Sequence, residues 1–343
     1  MHDSPRIFYF CYDHKLPLGG QKSTYQHVDA LNRCGFDAAV VHGKRDYRLT
    51  WFENETRVIA WEDFAIQFDA ARDYLVLPED LGRKIAAYPG RKVVFNKGAY
   101  NGFFSLGFSS AMDPCLRQDV VAILTLSEHN RRHLQFAYPH LPVIRIWTAI
   151  DSSLFQFRTM PAKKPQIAYA PKSKIQLLTV LNMLKSRTQC GLNAGEQFSW
   201  ILLQHKTESE VAEILGNSMA FVFCSVEEGC PRIPLEAMLC GCLPIAYGAG
   251  PLKEYLPRTL QCEYGNAIGM VRIIEQVMAW DPSSPFPFQK ELDESYKTAL
   301  TYSVEKQRET VCAAWETIFS MAGVSSPKVG TYLSNERMIT LTH

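Results

Sequence analysis

Short apolar runs alternate with amphipathic stretches along almost the whole chain. Arg6–Tyr12 (RIFYFCY) is apolar over the length of a strand, and the helix predicted next, Ser23–Arg33, carries its apolar residues at helical spacing. The same pattern continues through the first half of the chain. It predicts further strands at Ala38–Val41, Tyr74–Leu77, Val93–Phe95, Val120–Leu126 and Val143–Trp147.

A second series of runs begins near Gln166. It predicts strands at Ile167–Ala170, Phe198–Leu203, Met219–Cys224 and Leu243–Tyr247. Amphipathic stretches predict helices at Glu128–Phe136, Ile175–Leu184, Glu208–Leu215, Ile233–Cys240 and Asn266–Ala279, and one or two at Glu291–Met321. Apolar runs separated by helices are typical of parallel sheets covered on both faces. The sequence therefore predicts an α/β protein with two Rossmann-like, doubly wound parallel-sheet domains that face a central cleft.

Two breaks in the pattern divide the chain. Residues 152–165 are polar and proline-containing, as in a linker, and residues 281–287 (DPSSPFP) form a rigid break. We therefore predict a first domain over residues 1–151, a linker over 152–165 and a second domain over 166–290. Helices over 291–322 and a surface tail over 323–343 complete the chain.

Charge and cysteine content narrow the function. Thirty-six Lys and Arg against 35 Asp and Glu give a net charge of +1, so the chain has no bulk attraction for nucleic acid. The 10 cysteines form no CxxC pair or zinc-type spacing, and most lie in apolar runs, which predicts reduced, buried thiols. Because we find no signal-peptide pattern and no apolar stretch of about 18 residues, we expect a cytoplasmic protein without a transmembrane segment. Peripheral association with a membrane stays open.

Several phosphate and metal motifs are absent. Residues 19–23 (GGQKS) do not meet the P-loop pattern, and residues 248–250 (GAG) lack the third glycine of a dinucleotide fingerprint. No Asp-x-Asp pair occurs that would hold a divalent metal on a sugar nucleotide. We therefore predict neither a metal site nor a cofactor. The architecture would also suit an NAD- or SAM-dependent enzyme, but such an enzyme needs a glycine fingerprint after an early strand, and the sequence has none.

The segment from Phe221 to Tyr255 carries the most chemical information. Seven residues separate Glu228 from Glu236, and a turn between them opens a helix near Ile233. The free amides of a helix start, with about half a positive charge, can bind a diphosphate without a metal. Glu228 would then accept hydrogen bonds from sugar hydroxyls and Glu236 from ribose hydroxyls. The alternative is a capped surface helix with two solvated glutamates.

The surrounding pattern resembles the signature of retaining glycosyltransferases with the GT-B fold, of the family-4 type. The segment SVEEGCPRIPLEAMLCGCLPIA, over residues 225–246, with Gly250 and Glu254 after it, is similar to SxxEGFGxPxLEAMAxGxPVIA…GGxxE. Residues 148–155 resemble the family's hinge segment, residues 125–131 its strand-to-helix junction, and residues 17–20 its glycine-rich first loop. The resemblance implies a donor site at Ser225, Gly229, Cys230, Pro231, Arg232, Ile233 and Glu236. It also implies that the last helices cross back onto the first domain.

Departures from that signature change the predicted roles. The family's EGFG is EGCP here, and Arg232 either adds a phosphate contact or points to solvent. The Arg and Lys pair that usually clamps the diphosphate of the donor in this family is missing. We therefore predict that Lys172 and Lys174 form this phosphate clamp instead and act with Glu228 in catalysis. For the first domain we predict acceptor contacts at Gly19, Gly20, Asn96, Lys97 and Arg131.

The predicted reaction moves a glycosyl group from a nucleoside diphosphate sugar to an acceptor hydroxyl with retention of configuration. The resemblance implies a metal-independent enzyme of bacterial glycan or glycoconjugate synthesis, with a glycan, lipid-linked, protein or small-molecule acceptor. Two alternatives stay open: a sugar-nucleotide epimerase or hydrolase of the same fold, and a non-catalytic sugar-nucleotide-binding subunit.

Overall fold

A computed structural model describes residues 4–324 and 326. Its first sheet has seven strands in the order β3-β2-β1-β4-β5-β6-β7. These are β1 (Arg6–Phe10), β2 (Asp37–His42), β3 (Val58–Ala60), β4 (Tyr74–Pro78), β5 (Arg91–Asn96), β6 (Val120–Thr125) and β7 (Val143–Arg145). The helices among them are α1 (Gly19–Arg33), α2 (Trp61–Gln67), α3 (Asn101–Phe104) and α4 (Glu128–Ala137).

The second sheet has five strands in the order β12-β11-β10-β8-β9. These are β8 (Lys164–Tyr169), β9 (Ser199–Leu202), β10 (Ser218–Phe223), β11 (Leu243–Tyr247) and β12 (Gln261–Cys262). Its helices are α5 (Lys174–Gln189), α6 (Glu208–Asn217), α7 (Arg232–Leu239) and α8 (Ala267–Met278). Every pairing within the two sheets is parallel. The predicted α/β fold with two parallel sheets is thus confirmed.

Local sequence explains where several helices begin. Ser127 accepts a hydrogen bond from the Asn130 amide at the start of α4. Thr207 and Glu210 form a reciprocal capping box at the start of α6. These caps fix the direction in which each helix leaves the carboxyl end of the preceding strand, and therefore place both helix starts beside the space between the sheets.

Two helices, α9 (Gln289–Leu300) and α10 (Val304–Met321), end the described chain. The second of them packs on the first domain, where the Trp315 indole donates a hydrogen bond to the Tyr9 hydroxyl over 3.0 Å. Tyr302, just before α10, accepts a hydrogen bond from the Ile150 amide through its backbone carbonyl. The chain thus crosses between the two sheets twice, near residues 150 and 302.

The structure corrects several sequence-based predictions. Cys34 and Cys312 form a disulfide, so the prediction of uniformly reduced thiols is wrong for this pair, and Cys190 is exposed. Strand β3 and helix α2 were not predicted, because both are shorter than the periodicity can resolve. Strand β8 begins at Lys164, inside the predicted linker. Most of the predicted tail lies outside the described residues.

Candidate active site

A cavity of about 260 Å³ lies between the two domains, beside the carboxyl ends of β8 and β9 and the start of α7. The first domain contributes residues 16–19, Lys22 and Trp51 to its lining. The second domain contributes Ala170, Pro171, Lys172, Leu203, Gln204, His205, Lys206, Glu208, Val211, Arg232, Ile233 and Glu236. Of the predicted site residues, the cavity therefore brings together Gly19, Lys172, Arg232, Ile233 and Glu236.

Helix α7 presents its amino-terminal end to this cavity. The cap residue, Pro231, contributes no side-chain hydrogen bond to the first turn, so the amides there are available to another acceptor. Arg232, the first residue of the helix, donates to Gln26 of α1 over 3.1 Å. Its side chain is only 9% exposed, and its Nη2 has no hydrogen-bond partner among the described residues. Arg232 therefore does not point to solvent.

Glu236 lies one turn further along α7. Its Oε1 is 3.7 Å from Nε of Arg232, and its side chain is 8% exposed. Burial raises the pKa of Glu236, while the nearby Arg232 guanidinium opposes that shift. A carboxylate in this position is poorly hydrated and can accept hydrogen bonds from hydroxyl groups that enter the cavity.

Helix α1 faces α7 across the cavity. Its Gly19 allows this approach, because a Cβ there would lie 2.9 Å from Cδ of Arg232. Its Gly20 similarly lies against the side chain of Lys97. The amino-terminal ends of both helices, with Arg232 between them, make this part of the cavity attractive to an anion.

The two predicted clamp lysines have different surroundings. Lys172 pairs with Glu228 over 2.9 Å, with both side chains partly exposed. Lys174 is exposed at the first position of α5 and is not among the residues that line the cavity. The structure thus brings together Lys172 and Glu228 but leaves Lys174 apart.

The loops that carry Lys97 and Glu228 touch across the domain boundary. Gly98 and Glu228 form an antiparallel bridge, and the Ala99 amide donates to the Glu227 carbonyl over 2.8 Å. Gly229 lies so close to the Lys97 carbonyl that a Cβ would overlap it. This contact requires glycine at position 229 and connects the two predicted halves of the site.

Apart from Gly19, which lines the cavity, the predicted acceptor residues of the first domain lie outside its lining. Asn96 is buried and accepts from the Asn130 side chain over 3.2 Å. The ammonium of Lys97 lies 5.6 Å from the centre of the Phe95 ring. Arg131 pairs with Glu128 of the same helix.

Three predicted donor residues are buried behind the cavity. Ser225 and Cys230 are almost inaccessible, and burial raises the pKa of the Cys230 thiol to about 11. The Pro231 carbonyl accepts from the Tyr255 hydroxyl over 3.0 Å. These residues support the turn before α7, and Cys230 is inert as a nucleophile at neutral pH.

Some of the cavity residues lie outside the E-x7-E segment and were not predicted. They are Lys22, Trp51 and the residues after β9, Leu203, Gln204, His205, Lys206 and Glu208. Ligands bind parallel sheets at the carboxyl ends of strands, so the end of β9 was a signal that could have found the second group. No sequence pattern pointed to Trp51.

The chain is similar in sequence to known glycosyltransferases. A family model described as Glycosyl transferases group 1 matches residues 185–278. The Alpha-1,6-glucosyltransferase of Actinobacillus pleuropneumoniae serotype 7 (strain AP76) is 23% identical over an alignment of 274 residues, and the match covers 76% of this chain and 78% of that protein.

Solved structures share the fold over nearly the whole chain. The pneumococcal O-GlcNAc transferase GtfA, in complex with UDP and GlcNAc, has a TM-score of 0.63 at 8% identity, over 93% of this chain and 100% of that one. An alpha-glucosyltransferase in complex with UDP and a 13-mer DNA containing a HMU base has a TM-score of 0.58 at 13% identity, over 92% and 99%. The chain is a glycosyltransferase of the GT-B fold.

This identification confirms the family resemblance at the level of fold and reaction class. The cavity is the space between the two sheets of this glycosyltransferase, and its second-domain wall includes part of the E-x7-E segment. Within residues 4–324, no helix combines the length and apolar character needed to cross a bilayer.

Proposed function

We propose that the protein transfers a sugar, with glucose as the first candidate, from a UDP-sugar to an acceptor hydroxyl with retention of configuration. The observation that carries the proposal is the interdomain cavity, in which the buried Glu236 and the unpartnered Nη2 of Arg232 lie beside the start of α7. Support for the donor comes from the two neighbours solved with UDP and from the glucosyltransferase relative.

Four side chains and the start of α7 have proposed roles in holding the donor. Glu236 accepts hydrogen bonds from the ribose hydroxyls. The free amides at the start of α7 and the guanidinium of Arg232 bind the diphosphate, because both present hydrogen-bond donors and positive charge to one place. Glu228 accepts from hydroxyls of the transferred sugar, and Lys172 stabilises the departing phosphate.

The proposed chemistry needs no protein nucleophile. The bond between the anomeric carbon and the UDP phosphate oxygen breaks, and the acceptor oxygen bonds to the same face of that carbon. The acceptor proton passes to the phosphate oxygen that leaves, which becomes part of UDP. The protein positions the reactants and stabilises the charge that develops on the phosphate.

The acceptor side of the proposal depends on the first domain. Gly19, Gly20, Asn96, Lys97 and Arg131 remain the proposed acceptor contacts, and Lys174 remains a proposed member of the phosphate clamp. We propose a metal-independent, cytoplasmic enzyme of bacterial glycan or glycoconjugate synthesis. With a net charge of +1, a glycan or glycoconjugate is the proposed acceptor rather than a nucleic acid.

A thermal-shift panel of nucleoside diphosphates and their sugars tests the donor site. UDP or a UDP-sugar should raise the melting temperature, because a ligand that binds only the folded state stabilises it. Glu236→Ala should abolish the shift, while Glu213→Ala, an exposed glutamate on α6, should retain it. An unchanged shift in Glu236→Ala would reject the ribose assignment.

Product analysis separates transfer from the alternatives. Incubation of the best donor with mono- and oligosaccharide acceptors should release UDP and yield a glycoside whose anomeric configuration, read by NMR, matches the donor. UDP release that does not depend on acceptor would indicate a hydrolase. Donor binding with no product from any acceptor would favour a non-catalytic binding subunit.

A further inference from the structure

Lys22 joins the two domains at the edge of the cavity. It lies on α1, its side chain is 8% exposed, and it forms an ion pair with Glu208 of α6 in the other domain. Its ammonium also lies 5.3 Å from the centre of the Phe52 ring, which favours a cation at that position. Lys22 and Glu208 both line the cavity.

Four charged side chains therefore meet in a nearly buried cluster made of Lys22, Arg232, Glu208 and Glu236. The side chains of Arg232 and Glu236 are 9% and 8% exposed, and that of Glu208 is 16% exposed. Burial lowers the pKa of Lys22, the nearby Arg232 acts in the same direction, and the Glu208 carboxylate opposes both. Without a ligand, two positive and two negative charges balance.

A nucleoside diphosphate would disturb this balance. Its diphosphate adds at least two negative charges, and the proposed ribose contact occupies Glu236 with hydroxyl groups. Within the cluster Arg232 offers only one cation, so a second buried positive group near the phosphates would stabilise the added charge beyond what Lys172 and the amides of α7 supply. Lys22 is the other cation already in the cluster, and its ion-pair partner is Glu208.

We propose that Lys22 is a donor-binding residue that exchanges the Glu208 carboxylate for phosphate oxygens of the donor. Glu208 can release it at low cost, because this glutamate is the first residue of α6, where the helix dipole and the free amides stabilise a negative charge. The inference rests on the proposed UDP-sugar site. It adds a phosphate ligand supplied by the domain opposite the E-x7-E segment.

If Lys22 exchanges Glu208 for the donor phosphates, substitutions of the two residues should change UDP affinity in opposite directions. Loss of Lys22 removes a phosphate ligand, whereas neutralisation of Glu208 removes the competitor that holds this lysine. If the ion pair only held the two domains together, both substitutions would change UDP affinity in the same direction, because either one breaks the same contact. Uridine, which lacks phosphates, reports on the rest of the nucleotide site.

The experiment measures UDP and uridine binding by calorimetry for the full-length protein. Lys22→Met should weaken UDP binding about 10- to 100-fold, the range for a lost charge-assisted hydrogen bond, and leave uridine binding unchanged. Glu208→Gln should tighten UDP binding about 3- to 10-fold, a gain that misfolding cannot produce. In the double variant the gain from Glu208→Gln should vanish. The exposed pair Lys290 and Glu294 of α9, changed to Met and Gln, is the matched control and should alter neither affinity.

Two results would overturn the inference while the proposed function stands. One is a Lys22→Met variant that binds UDP as tightly as the wild type. The other is a Glu208→Gln variant that weakens UDP binding in parallel with Lys22→Met. A wild-type protein that bound no nucleoside diphosphate would instead remove the proposed function and the inference together.

Discussion

His27 is a buried histidine whose protonation should oppose folding. It lies on α1 between the rings of Tyr9 and Phe95, with ring centroids 5.8 Å and 4.6 Å away. Neither ring nitrogen has a hydrogen-bond partner among the described residues. Complete burial, together with the charge of Lys97, lowers the pKa of His27 from 6.5 to about 3. The folded protein therefore holds this side chain neutral.

The size of the effect follows from proton linkage. Between about pH 3 and 6.5 the unfolded chain binds a proton at His27 that the folded chain does not, so stability falls as the pH falls through this window. The contribution of the neutral ring is fully present above pH 6.5. For the pKa values above, lowering the pH from 7 to 5 should cost about 2 kcal/mol of unfolding free energy.

Urea unfolding of the wild type and of His27→Leu at pH 7 and pH 5 measures this cost. The variant removes the titrating group and no hydrogen bond, so the wild type should lose about 2 kcal/mol more than the variant over this interval. His14→Leu, in an exposed loop, is the control and should follow the wild type. Equal losses in the wild type and His27→Leu would refute the reasoning, because they would mean that the buried ring accepts a proton without penalty.

Other predictions test the site and the fold. Gly229→Ala would force a methyl group against the Lys97 carbonyl, so kcat/KM should fall at least about tenfold with a native circular dichroism spectrum; full activity would contradict the domain contact. Cys34→Ser should lower the free energy of unfolding by about 2–4 kcal/mol in urea titrations without reductant, and equal stability of variant and wild type would contradict a native disulfide. Transferase activity should persist in EDTA, and a loss that Mg²⁺ or Mn²⁺ reverses would reject the metal-independent mechanism.

Several elements could be predicted because their signals are local. Strand β11 has the predicted bounds, Leu243–Tyr247, since its apolar run is bounded by turns on both sides. The helices that follow Ser127 and Thr207 begin where those caps predict. The E-x7-E segment likewise lies within one turn and one helix, and the family resemblance that it carries implied that Arg232, Ile233 and Glu236 belong to one site.

Contacts between distant segments could not be read in this way. Lys22 and Glu208 are 186 positions apart, and Cys34 and Cys312 are 278 positions apart. Neither pair is part of a periodic sequence pattern. Each contact forms only when the two domains and α10 pack together. The burial of Arg232 has the same origin, since it depends on the approach of α1 at Gly19.

The sequence by itself determined the alternation of strands and helices, the two parallel sheets and the segment proposed to supply the donor site. Hydrophobic periodicity and helix caps act over a few residues, and these were sufficient. Only the tertiary structure decided which charges face each other in the cavity, which cysteines pair and which glycine carries the contact between domains. Those outcomes depend on how the two domains are positioned relative to each other, and that position is set by packing between residues far apart in the sequence.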